Sequence, residues 1–168
     1  GIKLPDAIVE RAKLTKLFDV GVHLINEGKL NSAKIVFEAI LKRDPNNKSA
    51  FSFQQLVIEK LSGTKTRELL LSAENNFKNK QYAQARADYQ KVLTINPSIS
   101  SAKEGIQASL LAQSEQERLQ GTDLAKRGKP FEAIKMFMAA LRTLPSNTQA
   151  SNDLNAIRNF ESSNMKTY

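Results

Sequence analysis

The chain has 168 residues, of which 40% are hydrophobic and 25% charged, and its formal net charge is +8 at pH 7. This length and apolar content suit one folded domain with a sizeable core and exclude wholesale disorder. The absence of cysteine excludes disulfides, zinc–thiolate sites and thiol nucleophiles, and a single histidine disfavours histidine-based catalysis. Seven glycines and five prolines are too few for the many tight turns of an all-β fold, so an all-helical domain is the first expectation.

The first predicted element pair is a helical hairpin. Apolar residues recur at helical spacing from Leu17 to Ile25 and again from Ala33 to Leu41, with Gly28 between the two runs and Pro45 after them. Glycine favours the end of the first helix, and proline cannot continue the second. The pattern therefore predicts helices over 6–26 and 30–43.

The spacing of this hairpin occurs three times along the chain. A small residue is followed by alanine after 12 residues, by an aromatic residue after 4 more, by an apolar residue after 3 and by proline after 5. The three sets are Gly21, Ala33, Phe37, Ile40 and Pro45; Ala73, Ala85, Tyr89, Val92 and Pro97; and Gly121, Ala133, Phe137, Ala140 and Pro145. A fixed period is the signature of a repeat architecture. The three aromatic residues are predicted to be buried between paired helices, each opposite the small residue of its repeat.

The repeated pattern resembles the tetratricopeptide repeat. The motif positions of the first repeat are occupied by Leu17, Gly21, Leu24, Ala33, Phe37, Ile40 and Pro45. The third repeat matches nearly as well, with Pro130 opening its second helix, whereas the second departs from the motif at Ala73 and Lys80, where glycine is usual. The resemblance implies an all-α fold, in which antiparallel helix hairpins form a right-handed superhelical array with additional helices between the repeats.

The period of the repeat departs from that family. The three prolines are 52 and 48 residues apart, whereas the family's repeat is about 34 residues long. We therefore expect a single repeat domain with hairpins at about 14–47, 66–99 and 114–147, and with inserted or capping helices at about 48–62, 100–113 and 148–162.

The two boundaries between the repeats give different expectations. No strong break occurs between residues 98 and 126, which predicts one long helix over 100–127. The first boundary contains four more residues, 62–65, and predicts a loop or kink between helices over 48–61 and 66–79. The remaining predicted helices cover 82–95, 130–143 and 148–162.

The sequence contains no motif for catalysis, a cofactor or a metal. The run Ser62–Thr66 has some of the composition of a phosphate loop, but it lacks the adjacent Gly-Lys pair and a preceding strand, so an ordinary interhelical loop is the preferred interpretation. His23 has no serine or carboxylate placed beside it by any recognisable motif. We therefore expect a non-enzymatic protein without a small-molecule substrate.

The positive charge is concentrated in the middle of the chain. Six cations of this region are candidates for an anion-attracting surface: Lys65, Arg67, Lys78, Lys80, Arg86 and Lys91. No run of like charges exceeds two residues, and few aromatic residues are interleaved with them, so a solvated face is the simpler interpretation. A basic protein that binds nucleic acid or another anionic surface is the alternative function.

The resemblance implies that a partner protein or peptide binds on the concave face, which the first helix of each hairpin lines. The groove positions of the family fall on Phe18, Val22, Ile25 and Asn26; on Leu70, Glu74, Phe77 and Lys78; and on Arg118, Thr122, Ala125 and Lys126. Some of these residues belong to the core instead if the inserted helices cover the groove. The family's basic clamp for C-terminal carboxylates is not found.

The compartment of the protein stays open. The longest apolar run, Leu69–Leu71, falls far short of the roughly 18 residues that span a bilayer. The chain opens without methionine, as expected of a processed chain or of one with a cleavage scar. Repeats with a period near 50 residues resemble those of bacterial scaffold proteins, including envelope ones, so both the cytoplasm and the periplasm or envelope are compatible with the sequence.

Overall fold

The computed structural model describes Gly1 and residues 3–166, and this part of the chain forms seven α-helices and no strand. The helices are α1 (Asp6–Asn26), α2 (Leu30–Arg43), α3 (Lys48–Lys78), α4 (Tyr82–Ile95), α5 (Ser100–Lys126), α6 (Pro130–Thr143) and α7 (Thr148–Met165). The all-α repeat fold expected from the sequence is confirmed. No helix of the described residues is long and apolar enough to cross a membrane.

The chain divides into two compact units, and α3 begins in the first and ends in the second. The first unit extends to Arg67 and contains α1, α2 and most of α3. The second unit begins at Glu68 and contains the end of α3 followed by α4, α5, α6 and α7. Each unit has its own apolar clusters.

The core of the first unit is built around Phe37, whose side chain is fully buried between α1 and α2. A Cβ atom added to Gly21 of α1 would lie 2.6 Å from the ring of Phe37, so only glycine allows this approach of the helix to the ring. Ala50 and Val57 of α3 are also fully buried in this cluster. The hairpin and the first half of α3 therefore share one core.

The second unit repeats this arrangement twice and shares α5 between the two copies. Tyr89 of α4 packs in a cluster with Ala102 of α5, and Phe137 of α6 is 2% exposed. A Cβ atom on Gly121 would lie 2.7 Å from the ring of Phe137, and one on Gly105 would overlap the ring of Tyr89. The predicted burial of all three repeat aromatics is confirmed, but the glycine beside Tyr89 comes from α5.

The turns of the three hairpins have one geometry. The second residue after each first helix has a positive φ, which is 74° at Gly28, 60° at Lys80 and 72° at Gly128. Glycine is usual at this motif position because it adopts a positive φ without strain. The second repeat has Lys80 there, and a lysine in this left-handed region is uncommon. The side chains of Asn47 and Asn147 each accept a hydrogen bond of 3.0 Å from the amide three residues later, which caps α3 and α7.

The expected loop at residues 62–65 is wrong, because α3 continues through them without a break. Four residues advance an α-helix by about one turn and 40°. The chain thus accommodates the longer period by adding one helical turn. The expected long helix over 100–127 is confirmed as α5, and α7 extends three residues beyond the predicted end at 162.

Candidate partner-binding groove

The first and third repeats can be compared position by position, because equivalent residues are 100 numbers apart. In each, a first helix (α1 or α5) is followed by its hairpin partner and then by a third helix (α3 or α7). In both repeats, cavities are lined jointly by the first and the third helix. These cavities define a candidate groove in each unit.

The groove of the third repeat contains two cavities. The distal cavity has a volume of about 560 Å³ and lies between the C-terminal half of α5 and α7. Its lining residues are Thr122, Ala125, Gly128, Pro130, Phe137, Asp153, Ala156, Ile157, Phe160 and Glu161. The proximal cavity has a volume of about 710 Å³, and its lining residues are Phe77, Ala108, Leu111, Ala112, Glu115, Leu144, Ser146, Asn147, Thr148 and Gln149.

An ion cluster joins the two cavities. The Nε atom of Arg118 donates a hydrogen bond to Glu115 at 2.9 Å, and its Nη1 atom donates to Asp153 at 2.8 Å. Glu115 lines the proximal cavity and Asp153 lines the distal one. The hydrogen bond from Arg118 holds the pKa of Glu115 below its usual value, and both carboxylates raise the pKa of the guanidinium. Arg118 therefore stays charged and fixed between two acids.

A second polar network supports the start of α7. The buried hydroxyl of Ser114 donates to the carbonyl of Ala140 at 2.7 Å and accepts from Asn147 Nδ2 at 2.8 Å. Asn147 in turn caps α7 through Ala150. This chain of bonds ties α5, α6 and α7 together, so the helices that form the groove are held by specific polar contacts as well as by apolar packing.

The equivalent groove of the first repeat has an apolar centre. Phe18 takes the position of Arg118 and Phe53 takes that of Asp153, and their ring centroids are 5.1 Å apart in an edge-to-face arrangement. Phe37 completes the cluster, with centroid distances of 5.6 Å to Phe18 and 5.7 Å to Phe53. Cavities of about 530 and 490 Å³ lie at the two ends of this groove.

Five of the twelve groove residues predicted from the sequence line cavities: Phe18, Ile25, Phe77, Thr122 and Ala125. Val22 and Leu70 are partly buried against the apolar clusters, and Arg118 belongs to the ion cluster. Four are exposed outside these cavities, namely Asn26, Glu74, Lys78 and Lys126. The set therefore divides into cavity walls, core and open surface.

Five residues that line the distal cavity were not predicted from the sequence. All five come from α7, for which the sequence predicts only a capping helix: Asp153, Ala156, Ile157, Phe160 and Glu161. The sequence did contain one signal for this site. Asp153 occupies the position that is 100 residues after Phe53, so a charged residue replaces an apolar one at an equivalent repeat position. A polar residue at an otherwise apolar repeat position indicates a local change of environment.

The six cations of the middle region differ in direction, partners and exposure. Lys65 and Arg67 differ by about 200° around α3, because each residue turns the helix by about 100°. Lys91 pairs with Asp88 at 3.6 Å, and the guanidinium of Arg86 approaches the carbonyl of Ser109 at 3.5 Å. Arg86 is half-buried and the other five are exposed, and exposed charges without a continuous run are typical of a solvated surface.

The structure places no catalytic constellation around His23. Its Nε2 atom lies 3.0 Å from Glu27 one turn later on α1, and the side chain is 73% exposed. Ser62–Thr66 is helical, which removes the loop geometry that phosphate binding would require. Within the described residues, no group of three or more His, Asp or Glu side chains is arranged to hold a metal ion.

The model of the tetratricopeptide repeat family matches residues 69–99. This segment contains the end of α3, all of α4 and the turn that leads to α5, so the match falls on the second repeat. Since the same spacing and the same hairpin occur before and after it, the chain is a tetratricopeptide-like repeat protein.

One solved structure similar to this chain is described as the first TPR of Spaghetti (RPAP3) bound to the HSP90 peptide SRMEEVD. The two sequences are 22% identical, the match covers 90% of this chain and 94% of that chain, and the TM-score is 0.25. No curated protein matches the sequence.

Proposed function

We propose that the chain is a non-enzymatic interaction module that binds a segment of a partner protein in the groove between α5 and α7. The observation that carries this proposal is the distal cavity, whose walls come from two helices and include the exposed ring of Phe160. A volume of about 560 Å³ falls within the usual range of ligand sites, about 300–1,000 Å³. An apolar side chain of a partner would be desolvated there.

The family likeness supports the same conclusion. Repeat arrays of helical hairpins commonly present their first helices to a partner, and α5 is such a helix. A module of this kind would serve as a scaffold or adaptor. The scattered cations of the middle region give no comparable support to nucleic-acid binding, because that function needs a continuous basic track along a backbone.

A cavity-filling variant tests the proposal. Ala156 is exposed and lines the distal cavity, so Ala156→Trp would fill the cavity without disturbing the core. Ala87→Trp is the matched control, because Ala87 is exposed on α4 and lines neither cavity of the groove. Circular dichroism and thermal melts of both variants verify that the fold is kept.

The readout is the set of proteins recovered with the purified chain from its native host, measured by quantitative mass spectrometry. We expect at least one protein whose recovery falls at least about tenfold with Ala156→Trp and is unchanged with Ala87→Trp, since apolar anchors in a cavity dominate such interfaces. If both variants retain every partner, the groove is not the binding site. Recovery of nucleic acid alone at physiological salt would support the alternative function.

A further inference from the structure

We infer that the segment bound in the α5–α7 groove is a cationic amphipathic peptide, which inserts an apolar side chain into the distal cavity and places Lys or Arg beside Glu161 and Asp153. This inference rests on the proposed function and adds the chemistry of the partner. It follows from the charge distribution around the groove.

The charged residues lining the two cavities all have the same sign. Among the described residues, these are Asp153 and Glu161 in the distal cavity and Glu115 in the proximal one, and neither cavity is lined by Lys or Arg. Arg118 lies between the cavities, but its guanidinium is already occupied by Glu115 and Asp153. Three carboxylates against one guanidinium leave the groove negative, although the whole chain carries a charge of +8.

Glu161 is the carboxylate available to a partner. It is half-buried at the cavity wall, and it forms no ion pair within the described part of the chain. Cations close in sequence to the cavity residues have other partners. Arg127 pairs with Asp123 at 2.9 Å, Lys129 pairs with Glu132 at 3.6 Å, and Arg158 Nη2 lies 3.8 Å from Met138 Sδ. An anionic partner would bring like charges together at Glu161, whereas a cationic one would form a new ion pair.

The apolar part of the site adjoins Glu161 directly. Phe160 is 62% exposed, and together with Ile157 and Ala125 it gives the distal cavity an apolar surface. A segment that alternates an apolar anchor with a basic side chain matches both features at once. The equivalent cavities of the first repeat carry both signs, with Glu10, Arg11 and Asp44 at one end and Glu59, Lys60 and Arg67 at the other. The selectivity for cations is therefore assigned to the third repeat and not to the first.

The test is a selection of short random peptides displayed on phage against the intact chain, at low and at physiological salt. We expect that the peptides lost with Ala156→Trp and kept with Ala87→Trp are enriched in Lys or Arg next to Leu, Ile or Phe. Glu161→Lys should weaken such peptides about fivefold, as expected for reversing one partly exposed interfacial charge. Glu104→Lys is the matched control, because Glu104 is exposed on α5 and lines neither cavity.

The outcomes separate the two proposals. Peptides that depend on the groove but are acidic or show no charge preference would overturn the cationic partner and leave groove binding intact. Equal effects of Glu161→Lys and Glu104→Lys on cationic peptides would likewise overturn the cationic partner alone. If no selected peptide responds to Ala156→Trp while the variant remains folded, the inference and the proposed function both fail.

Discussion

The first and third repeats have the same hairpin core but opposite groove centres. Each buries a phenylalanine, Phe37 or Phe137, against a glycine of its first helix. In the groove, however, the first repeat packs Phe18 against Phe53, and at the equivalent positions the third pairs Arg118 with Asp153. The motif residues thus specify the hairpin, while the positions between the first and third helices are free to differ in chemistry. These positions set the polarity of each groove.

The difference also changes how the third helix is held. Three aromatic rings in mutual contact attach α3 to α1 by apolar burial, which is insensitive to salt and pH. The third helix of the third repeat is attached partly by charged hydrogen bonds, which water and salt weaken. Both grooves therefore have a filled centre between two cavities, but the centre of the first is apolar and that of the third is charged.

The largest expected effect on stability comes from removing one ring of the aromatic centre of the first repeat. Phe37→Ala should lower the free energy of unfolding by about 3–5 kcal/mol, because it deletes a fully buried ring and leaves a cavity. Urea melts measure this change. Phe51→Ala is the control, since Phe51 is 55% exposed and should cost much less. A loss below about 1 kcal/mol for Phe37→Ala would show that the shared hairpin core has been misassigned.

A pair of glycine substitutions sharpens the comparison between the helices that cross the repeat boundaries. Gly105→Ala should destabilise the chain by about 1–3 kcal/mol, because the added methyl group overlaps the ring of Tyr89. Gly63→Ala should stabilise it by about 0.5–1 kcal/mol, since Gly63 lies within α3 and nothing is within 4 Å of an added Cβ. Chemical denaturation compares the two variants. Destabilisation by Gly63→Ala would contradict a continuous α3.

The smallest effect concerns the ion cluster of the third repeat. Asp153→Ala should cost about 1 kcal/mol, because Arg118 keeps Glu115 and because water screens the partly exposed Asp153. The double variant Arg118→Met with Asp153→Leu imitates the apolar centre of the first repeat, and its stability should lie within about 1 kcal/mol of the parent. A double-mutant cycle in urea at low and high salt separates these contributions. A coupling energy that does not change with salt would contradict the electrostatic account.

The sequence predicted the hairpins well because their signals are local. Gly28 and Gly128 mark the positive-φ turns, and each proline lies just beyond its second helix, so the helix bounds follow from short-range chemistry. The prediction failed at residues 62–65, where serine, glycine and threonine weaken helix propensity. Packing on both sides of this turn outweighs the propensity, and packing cannot be read from the four residues themselves.

The groove was only partly predictable, because its chemistry depends on residues distant in the chain. Arg118 has the spacing of a groove residue, but its partner Asp153 is 35 positions away on α7. The contact of Gly105 with Tyr89 was missed for the same reason, since the repeat spacing places Ala73 opposite that ring. Motif spacing fixes neighbours within a hairpin, whereas contacts of the third helix require the tertiary structure.

The sharing of α5 between two cores has a consequence for folding. Its first half packs with Tyr89 through Ala102 and Ile106, and its second half packs with Phe137 through Gly121. Starting a helix is costly, whereas extending an existing one adds a hydrogen bond for each residue fixed. Once either core has formed, the other therefore receives a helix that is already nucleated. The ordering of one repeat lowers the entropic cost of ordering the next, and cooperativity passes along the backbone of α5 itself.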